Sequence, residues 1–316
     1  MGLTPVTSSL VAIVAIALSL LILLEVSLRW FFGLGKPLIY HADPDIGYLL
    51  APSQTTRRFG NRIRINQYSM RSPNISPKPE PGTRRLLLLG DSIANGGWWT
   101  DETRILSSLI SQQLDADEDN KVEVLNASAN SWCARNEIAY LRKYGAFGAE
   151  TIILLLNTDD LFGTAPTSIP VGRDRFYPDR YPPLGIVEAF TRFVLPYEPP
   201  AEMAKVRAEK GDRVGFNLQA IRDICDYTRE HQTQLLLAMT PLKREVGEPG
   251  PRDYELKARK RLLTLAEELA IVYIDLLPLF NQEQDVENLY RDHIHLSPYG
   301  NELVCQSLCD RLKSTG

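Results

Sequence analysis

Residues 84–97 read RRLLLLGDSIANGG. Four consecutive leucines predict a strand that is buried on both faces, because a half-exposed strand would alternate apolar with polar residues. Gly90 ends this strand, and Asp91 and Ser92 follow at its carboxyl end, where open α/β sheets bind their ligands. A serine in such a strand-to-helix turn projects its hydroxyl from the sheet edge, as a nucleophile must. The alternative is structural, because Asp and Ser are also favoured residues at the start of a helix.

A second stretch near the other end of the chain, DHIHLSPYG at residues 292–300, offers partners for that serine. A serine hydroxyl is a weak nucleophile at neutral pH unless an imidazole accepts its proton, and a carboxylate must orient the imidazole. His295 and Asp292 supply both groups from one short loop. A metal site is the alternative, because Asp292, His293 and His295 have a familiar ligand spacing. That alternative lacks a fourth ligand at motif spacing and leaves the serine without a role.

The Gly-Asp-Ser block at residues 90–92 and the Asp-x-x-His block at residues 292–295 together resemble the SGNH, or GDSL, hydrolase family. The blocks lie in the family's order and about two hundred residues apart, so the pair is far more specific than either block alone. The resemblance implies that Ser92 is the nucleophile, that His295 is the general base and that Asp292 completes the triad. It implies no metal and no organic cofactor.

The resemblance also implies which groups form the oxyanion hole. In this family the donors are the N–H of the nucleophile, here Ser92, a glycine N–H and an asparagine side chain. Ser131 stands at the usual glycine, and its N–H survives the change at small cost unless the site needs a positive φ. Asp159 stands at the usual asparagine, where an ionised carboxylate repels the oxyanion and a protonated one donates to it. Asn157 is the alternative donor, and loss of one donor typically costs roughly 100- to 1,000-fold in rate.

Beyond residue 83, predicted strands and helices alternate along the chain. After the leucine strand, strands are predicted at residues 122–125, 152–156, 235–239 and 271–274, and helices at residues 101–114, 135–144, 217–231, 253–270 and 299–312. This alternation predicts a parallel sheet with helices on both faces. The resemblance covers roughly residues 84–312 and implies a three-layer αβα sandwich with a five-stranded, flavodoxin-like sheet. Residues 83–316 are therefore predicted to form one hydrolase-like domain.

One long segment interrupts this alternation, at about residues 163–215. It contains eight prolines, interleaved with arginine, tyrosine and phenylalanine. Loops of this length inside a compact domain are usually functional or disordered. Several of its side chains suit stacking on a sugar or holding an acidic group: Arg173, Arg175, Tyr177, Arg180 and Tyr181. An ordered but inert insertion is an equally good interpretation.

The chain begins with an apolar segment, in which residues 2–24 carry no charge. From Leu10 to Phe32 the segment has about the length needed to cross a bilayer core. Glu25 and Arg29 can pair one helical turn apart, and the aromatic residues 30–32 suit the membrane interface. A cleaved signal peptide is the alternative, weakened by the absence of Lys or Arg before the apolar run. Because a buried soluble helix would not stand isolated at the terminus, we predict a single uncleaved anchor at residues 1–32.

Residues 33–82 are predicted to connect anchor and domain, with a hairpin at residues 57–67 and a proline-rich linker at residues 73–82. By charge alone the domain would lie in the cytoplasm, because a few basic residues follow the span and none precedes it. Anchored members of the resembled family usually work outside the cytoplasmic membrane, and long domains can translocate against the charge rule. We therefore predict an extracytoplasmic domain on a single-pass membrane protein.

The net charge of the chain argues against some classes of binding partner. A formal net charge of -4 favours neither nucleic acid nor an acidic surface as the main partner. The leading hypothesis is a membrane-anchored serine esterase or acyl-transfer enzyme. Its partner would be an ester-bearing small molecule or polysaccharide, with O-acetyl groups as the expected esters. The alternative is a catalytically weak binding or assembly component of a polysaccharide-modifying system, suggested by Ser131 and Asp159 at the oxyanion-hole positions.

Overall fold

A computed structural model describes residues 5–117 and 121–314. At its centre lies a five-stranded parallel sheet. Its strands are β5 Thr83–Gly90, β6 Lys121–Ser128, β7 Thr151–Asn157, β8 Gln234–Thr240 and β9 Val272–Asp275. They lie side by side in the order β6-β5-β7-β8-β9. The predicted parallel sheet is confirmed, and its order is the flavodoxin-like one that the resemblance implied.

Helices cover both faces of the sheet. The long helices α3 Leu106–Asp117, α4 Ala134–Tyr144, α7 Arg213–Glu230, α8 Asp253–Glu268 and α11 Pro298–Ser314 pack on these faces. The short helices elsewhere in the chain are α2 Ser92–Asn95, α5 Gly185–Ala189, α6 Met203–Arg207, α9 Leu277–Phe280 and α10 Val286–Leu289. Side chains alternate across a strand, so the leucines of β5 enter two separate cores. Leu86 and Leu88 pack with α3 and α11, whereas Leu87 and Leu89 pack with α4, α7 and α8. All four leucines are fully buried, which confirms the two-sided burial predicted for this strand.

Two predicted helix boundaries were wrong by several residues. The helix predicted at residues 101–114 begins only at Leu106, because the Asp101 carboxylate accepts N–H bonds from Thr103 (3.1 Å) and Arg62 (2.7 Å) and holds a turn instead. The helix predicted at residues 217–231 begins earlier, at Arg213. There the Asp212 carboxylate accepts the N–H of Gly215 (2.9 Å) and caps the helix.

Two antiparallel hairpins precede the sheet, formed by β1 Tyr40–Asp43, β2 Gly47–Leu50, β3 Gln54–Arg58 and β4 Asn61–Ile65. The second hairpin was predicted; the first was not. Ile46, Ile63 and Ile65 are buried in the same core as α4 and α7. Residues 33–82 therefore pack on the sheet domain, while their division from it at residue 83 stays a prediction.

The chain begins with helix α1 Pro5–Phe32. Within it, Ser9–Phe32 is long and apolar enough to cross a membrane, and its most apolar 18-residue stretch has a mean hydropathy of 2.7 and is not buried against the rest of the described chain. A signal sequence would have the same properties. Glu25 and Arg29 form the predicted ion pair one turn apart.

Candidate active site

Ser92 lies at the carboxyl end of β5, where a tight strand-to-helix turn starts α2. The turn requires Gly90, because a Cβ there would lie 2.7 Å from the Ala94 Cβ and 2.8 Å from the carbonyl oxygen of Leu155. The Ser92 Oγ is 2.9 Å from Nε2 of His295. Two residues that are about two hundred positions apart in sequence are therefore in hydrogen-bond contact.

Asp292 holds the other side of the His295 ring. Its Oδ2 is 2.8 Å from the imidazole Nδ1, and its Oδ1 accepts the N–H groups of Ile294 (3.1 Å) and His295 (2.9 Å). Partial burial would raise the pKa of Asp292, but these hydrogen bonds outweigh burial and lower it. The ionised carboxylate accepts a hydrogen bond from Nδ1–H, which keeps the imidazole proton on Nδ1. Nε2 is then free to accept the proton of Ser92. The exposed His293 lies 3.9 Å from Asp292, and within residues 5–117 and 121–314 no group of three His, Cys, Asp or Glu side chains is arranged to hold a metal.

Behind the nucleophile lies a set of buried carboxyl groups that the sequence did not predict. Asp91 accepts the N–H of Ile93 (2.8 Å) and the amide Nδ2 of Asn157 (2.9 Å), and its Oδ2 lies 3.2 Å from the Ser92 Oγ. Burial raises the pKa of Asp91 and of Asp160. Because the serine has one proton and His295 is the nearer acceptor, this arrangement favours donation to the imidazole over donation to Asp91.

Asn157 and Asp159 occupy different positions at the end of β7. Asn157 is buried, and its amide nitrogen donates to both Asp91 (2.9 Å) and Asp160 (3.0 Å). Asp159 is exposed at the rim of the cavity next to Ser92. Its side chain reaches solvent, but partial enclosure by the surrounding protein raises the pKa of Asp159, against an opposing effect of the Arg244 charge. Asn157 therefore has both amide hydrogens engaged, and of the two residues only Asp159 has a side chain that is not already committed to buried partners.

Ser131, at the position of the usual glycine, has a φ of 59°. This is the left-handed region, which a residue with a Cβ occupies at a cost of roughly 1–2 kcal/mol. Its hydroxyl accepts a hydrogen bond from Tyr177 (3.1 Å), a residue of the insertion. Because φ is positive here, the serine in place of the usual glycine strains the backbone.

We expect Ser131→Gly to be more stable than Ser131→Ala by about 1 kcal/mol. Both variants lose the hydrogen bond to Tyr177, so that contact cancels in their difference. What remains is the strain of alanine at positive φ, reduced by the greater freedom of glycine in the unfolded chain. Urea unfolding with matched m-values measures it. Equal stability of the two variants would mean that the backbone at this position relaxes out of the left-handed region.

A cavity of about 710 Å³ opens in front of Ser92 and His295. Trp98 and Trp99 form one wall, and the insertion forms another through Phe176, Tyr177, Arg192 and Tyr197. Of the insertion residues singled out in the sequence, only Tyr177 lines the cavity. The three arginines have partners elsewhere: Arg173 pairs with Glu202, Arg180 lies near Asp179, and Arg175 donates to the carbonyl groups of Thr191 and Leu195. Tyr181 is exposed on the surface.

The tryptophan wall is held by Arg71, a buried residue that no sequence motif marks. Its guanidinium donates to the carbonyl groups of Asn95, Gly97 and Thr100, and so fixes the loop that follows α2. The Trp99 ring packs edge-on against the His295 ring, with centroids 4.5 Å apart. Residues 33–82 thus contribute to the site by holding its walls in place.

Solved structures with a similar fold include an acetylxylan esterase, Axe2, from Geobacillus stearothermophilus (16% identity, TM-score 0.49, covering 72% of this chain and 93% of that one). They also include LAE5, an alpha/beta hydrolase enzyme from the metagenome of Lake Arreo (13% identity, TM-score 0.47, covering 72% and 94%). A third is a member of the lipolytic protein G-D-S-L family from Veillonella parvula DSM 2008 (14% identity, TM-score 0.46, covering 72% and 97%). No curated protein matches the sequence.

The model of the GDSL-like Lipase/Acylhydrolase family matches residues 88–303, well over half of the chain. The matched range begins within β5, just before Ser92, and ends within α11, just after His295. It therefore contains both sequence blocks and the carboxyl ends of all five strands of the sheet. The chain belongs to the GDSL-like lipase/acylhydrolase family and is a serine hydrolase that acts on esters.

Proposed function

We propose that the protein is a membrane-anchored serine esterase or acyl-transfer enzyme in which Ser92, His295 and Asp292 form the catalytic triad. The observation that carries this proposal is the continuous hydrogen-bonded chain Ser92 Oγ–His295 Nε2 (2.9 Å) and His295 Nδ1–Asp292 Oδ2 (2.8 Å) at the floor of the cavity. Each group has the partner that its role requires.

In the proposed mechanism, the Ser92 Oγ attacks the ester carbonyl carbon while its proton passes to Nε2 of His295. The ionised Asp292 stabilises the resulting imidazolium. His295 then gives the proton to the departing alkoxide oxygen, which breaks the ester bond and leaves the acyl group on the serine. Water or a sugar hydroxyl then attacks the acyl carbon and gives its proton to His295. The bond between the acyl group and Ser92 Oγ breaks, His295 returns the proton to Oγ, and the acid or the new ester leaves.

We propose the N–H groups of Ser92 and Ser131 as two oxyanion donors. Of the two candidates for the third donor, we propose Asp159 in its protonated form over Asn157, whose amide is engaged by Asp91 and Asp160. A carboxyl that stays protonated can donate to an oxyanion as an amide does. The raised pKa of Asp159, caused first by burial, supports this role.

Asp159→Asn should therefore raise the rate of ester hydrolysis and extend activity to higher pH. In the parent, activity should fall as pH rises through the raised pKa of Asp159, because the ionised carboxylate repels the oxyanion. Activity should also fall at low pH, as His295 becomes protonated and can no longer act as a base. The asparagine removes only the alkaline loss, which a pH profile of kcat/KM measures.

Asp253→Asn, on the exposed side of α8, serves as the control for a lost surface charge. An Asp159→Asn variant that is slower than the parent at every pH would show that Asp159 has another role. Asn157 or a backbone group would then have to complete the oxyanion hole.

As substrate class we propose O-acetyl esters, carried by a small molecule or by an envelope or extracellular polysaccharide. The aromatic walls of the cavity support this, since Trp98, Trp99 and Tyr177 can stack on sugar rings. An outward-facing domain on helix α1 would meet such substrates. Phosphatase and fluorescent-protein fusions at the C-terminus test this side of the membrane: an active phosphatase is expected, and a fluorescent but phosphatase-inactive pair would reverse it.

A fluorophosphonate probe tests the central proposal, because it reacts only with activated serines. Stoichiometric labelling at Ser92, with none in Ser92→Ala, is expected. Absence of labelling in the folded protein would contradict an activated nucleophile. It would favour the alternative of a binding or assembly component, which the strained Ser131 and the acidic Asp159 motivate.

A further inference from the structure

Part of the insertion presents an apolar surface to the outside of the molecule. Helix α5 continues into a wider π-helical turn at Phe190–Val194. Its outward side chains form what we call the apolar ridge, comprising Leu184, Val187, Phe190, Phe193, Val194 and Leu195. They are 37–65% exposed. A contiguous row of large apolar side chains on a soluble surface usually marks an interaction site.

The polarity of this helical segment is inverted with respect to a soluble protein. Its charged residues Glu188 and Arg192 face the interior, while its apolar residues face outward. The buried Glu188 carboxylate is held by the Arg58 guanidinium (3.1 Å to Nη1) and by the N–H of Gly35 (2.6 Å). Rotating the ridge inward would break this buried ion pair, which is costly. The outward orientation of the apolar side chains is therefore built into the fold.

The ridge is continuous with the end of helix α1. The Glu25 carboxylate accepts the N–H groups of Gly185 (2.8 Å) and Ile186 (2.9 Å), the first residues of α5. The ring of Phe59, at the tip of the second hairpin, packs against the rings of Phe32 of α1 and Phe193 of the ridge. The ring centroids are 5.7 Å and 6.4 Å apart, respectively. One apolar surface thus runs from the last turn of the proposed anchor, across the hairpin, to the insertion.

We propose that the apolar ridge, together with Phe59 and residues 30–32, lies on the surface of the lipid bilayer that α1 enters. This inference rests on the proposed membrane anchor. A bilayer is the occupant that suits the ridge, because α1 already places its end at that level and the ridge is joined to it. Lys36 and Arg57, both exposed beside the same hairpin, are placed to meet lipid phosphates.

The proposal determines where the active site lies with respect to the membrane. Aromatic rings form an unbroken series from Phe32 through Phe59, Trp98 and Trp99 to His295, and neighbouring centroids are 4.5–5.7 Å apart. His295 is therefore linked to Phe32 by four successive ring contacts, which places the active site on the bilayer side of the domain if the ridge lies on the membrane.

The test uses the full-length protein in phosphatidylcholine nanodiscs, with a polarity-sensitive fluorophore on a single introduced cysteine. All four native cysteines are buried, so the label goes to the new position. Phe193→Cys and, independently, Val194→Cys report on the ridge. Leu263→Cys, on α8 and 46% exposed, is the matched surface control, and Ile22→Cys reports on the anchor.

Nitroxide-bearing lipids should quench the label at residues 193 and 194 at least about twofold more strongly than at residue 263, as expected for side chains in the interface. Strong quenching at residue 22 with residues 193 and 194 equal to residue 263 would overturn the ridge proposal and leave the anchor intact. Absence of quenching at residue 22 would overturn the anchor and the inference that rests on it. A label at residue 193 that is shielded from aqueous iodide but not quenched by lipid would show that another protein surface covers the ridge, which also overturns the proposal.

Discussion

Ser92→Ala is expected to lower kcat/KM on acetyl esters by about 10⁴- to 10⁶-fold, the range in which loss of a triad serine acts in serine hydrolases. The variant removes the atom that forms the acyl-enzyme, so the proton acceptor His295 and its partner Asp292 are left without a reaction to assist. Residual rate would come from binding and from the oxyanion donors alone. Initial rates on 4-nitrophenyl acetate and on an acetylated oligosaccharide measure the loss.

The same assay needs a matched serine-to-alanine control outside the site. Ser108 is suitable, because its hydroxyl donates to the Glu102 carbonyl, in the turn that precedes α3, and contacts no residue of the proposed triad. Ser108→Ala should keep the parental rate. Ser92→Ala should unfold at nearly the parental temperature, since the deleted oxygen has polar neighbours that retain other partners. A Ser92→Ala rate within tenfold of the parent would refute Ser92 as the nucleophile.

Asp292→Asn is expected to lower kcat by roughly 10³- to 10⁴-fold with little change in stability. The asparagine oxygen can still accept the N–H groups of Ile294 and His295, so the loop keeps its shape. Its NH₂ group, however, faces Nδ1 of His295 and forces the ring into the tautomer that carries its proton on Nε2. That nitrogen can then no longer accept the proton of Ser92.

Asp292→Ala separates this tautomer effect from the structural one. Alanine removes the acceptor for the loop N–H groups as well, so this variant should lose both rate and thermal stability. We expect Asp292→Asn to match it in rate and to exceed it in unfolding temperature. If the asparagine variant kept more than a tenth of the parental kcat, the carboxylate would not be setting the tautomer of His295.

Local patterns in the sequence were sufficient for the strands of the sheet and for the Asp292–His295 pair of the proposed triad. Leu86–Leu89 predict a doubly buried strand because burial on both faces leaves no polar position in the pattern, and the structure confirms it. The Asp292–His295 pair can be anticipated because three residues are enough to close the loop that joins carboxylate and ring. These features depend on neighbours in sequence, which is why a short motif carries them.

The features that shape the site depend on contacts between distant residues. The sequence alone determined the αβα class, the strand order by resemblance, and the three residues of the proposed triad. The contact of Arg71 with the loop of Trp98 and Trp99, and the left-handed backbone of Ser131, become visible only in the folded chain. The outward orientation of the apolar ridge also depends on a distant contact, because Glu188 pairs with Arg58, about 130 residues away in sequence, in the interior. Such contacts arise because buried charged and polar groups need partners wherever packed elements meet. The local pattern of apolar residues along the sequence carries no information about them.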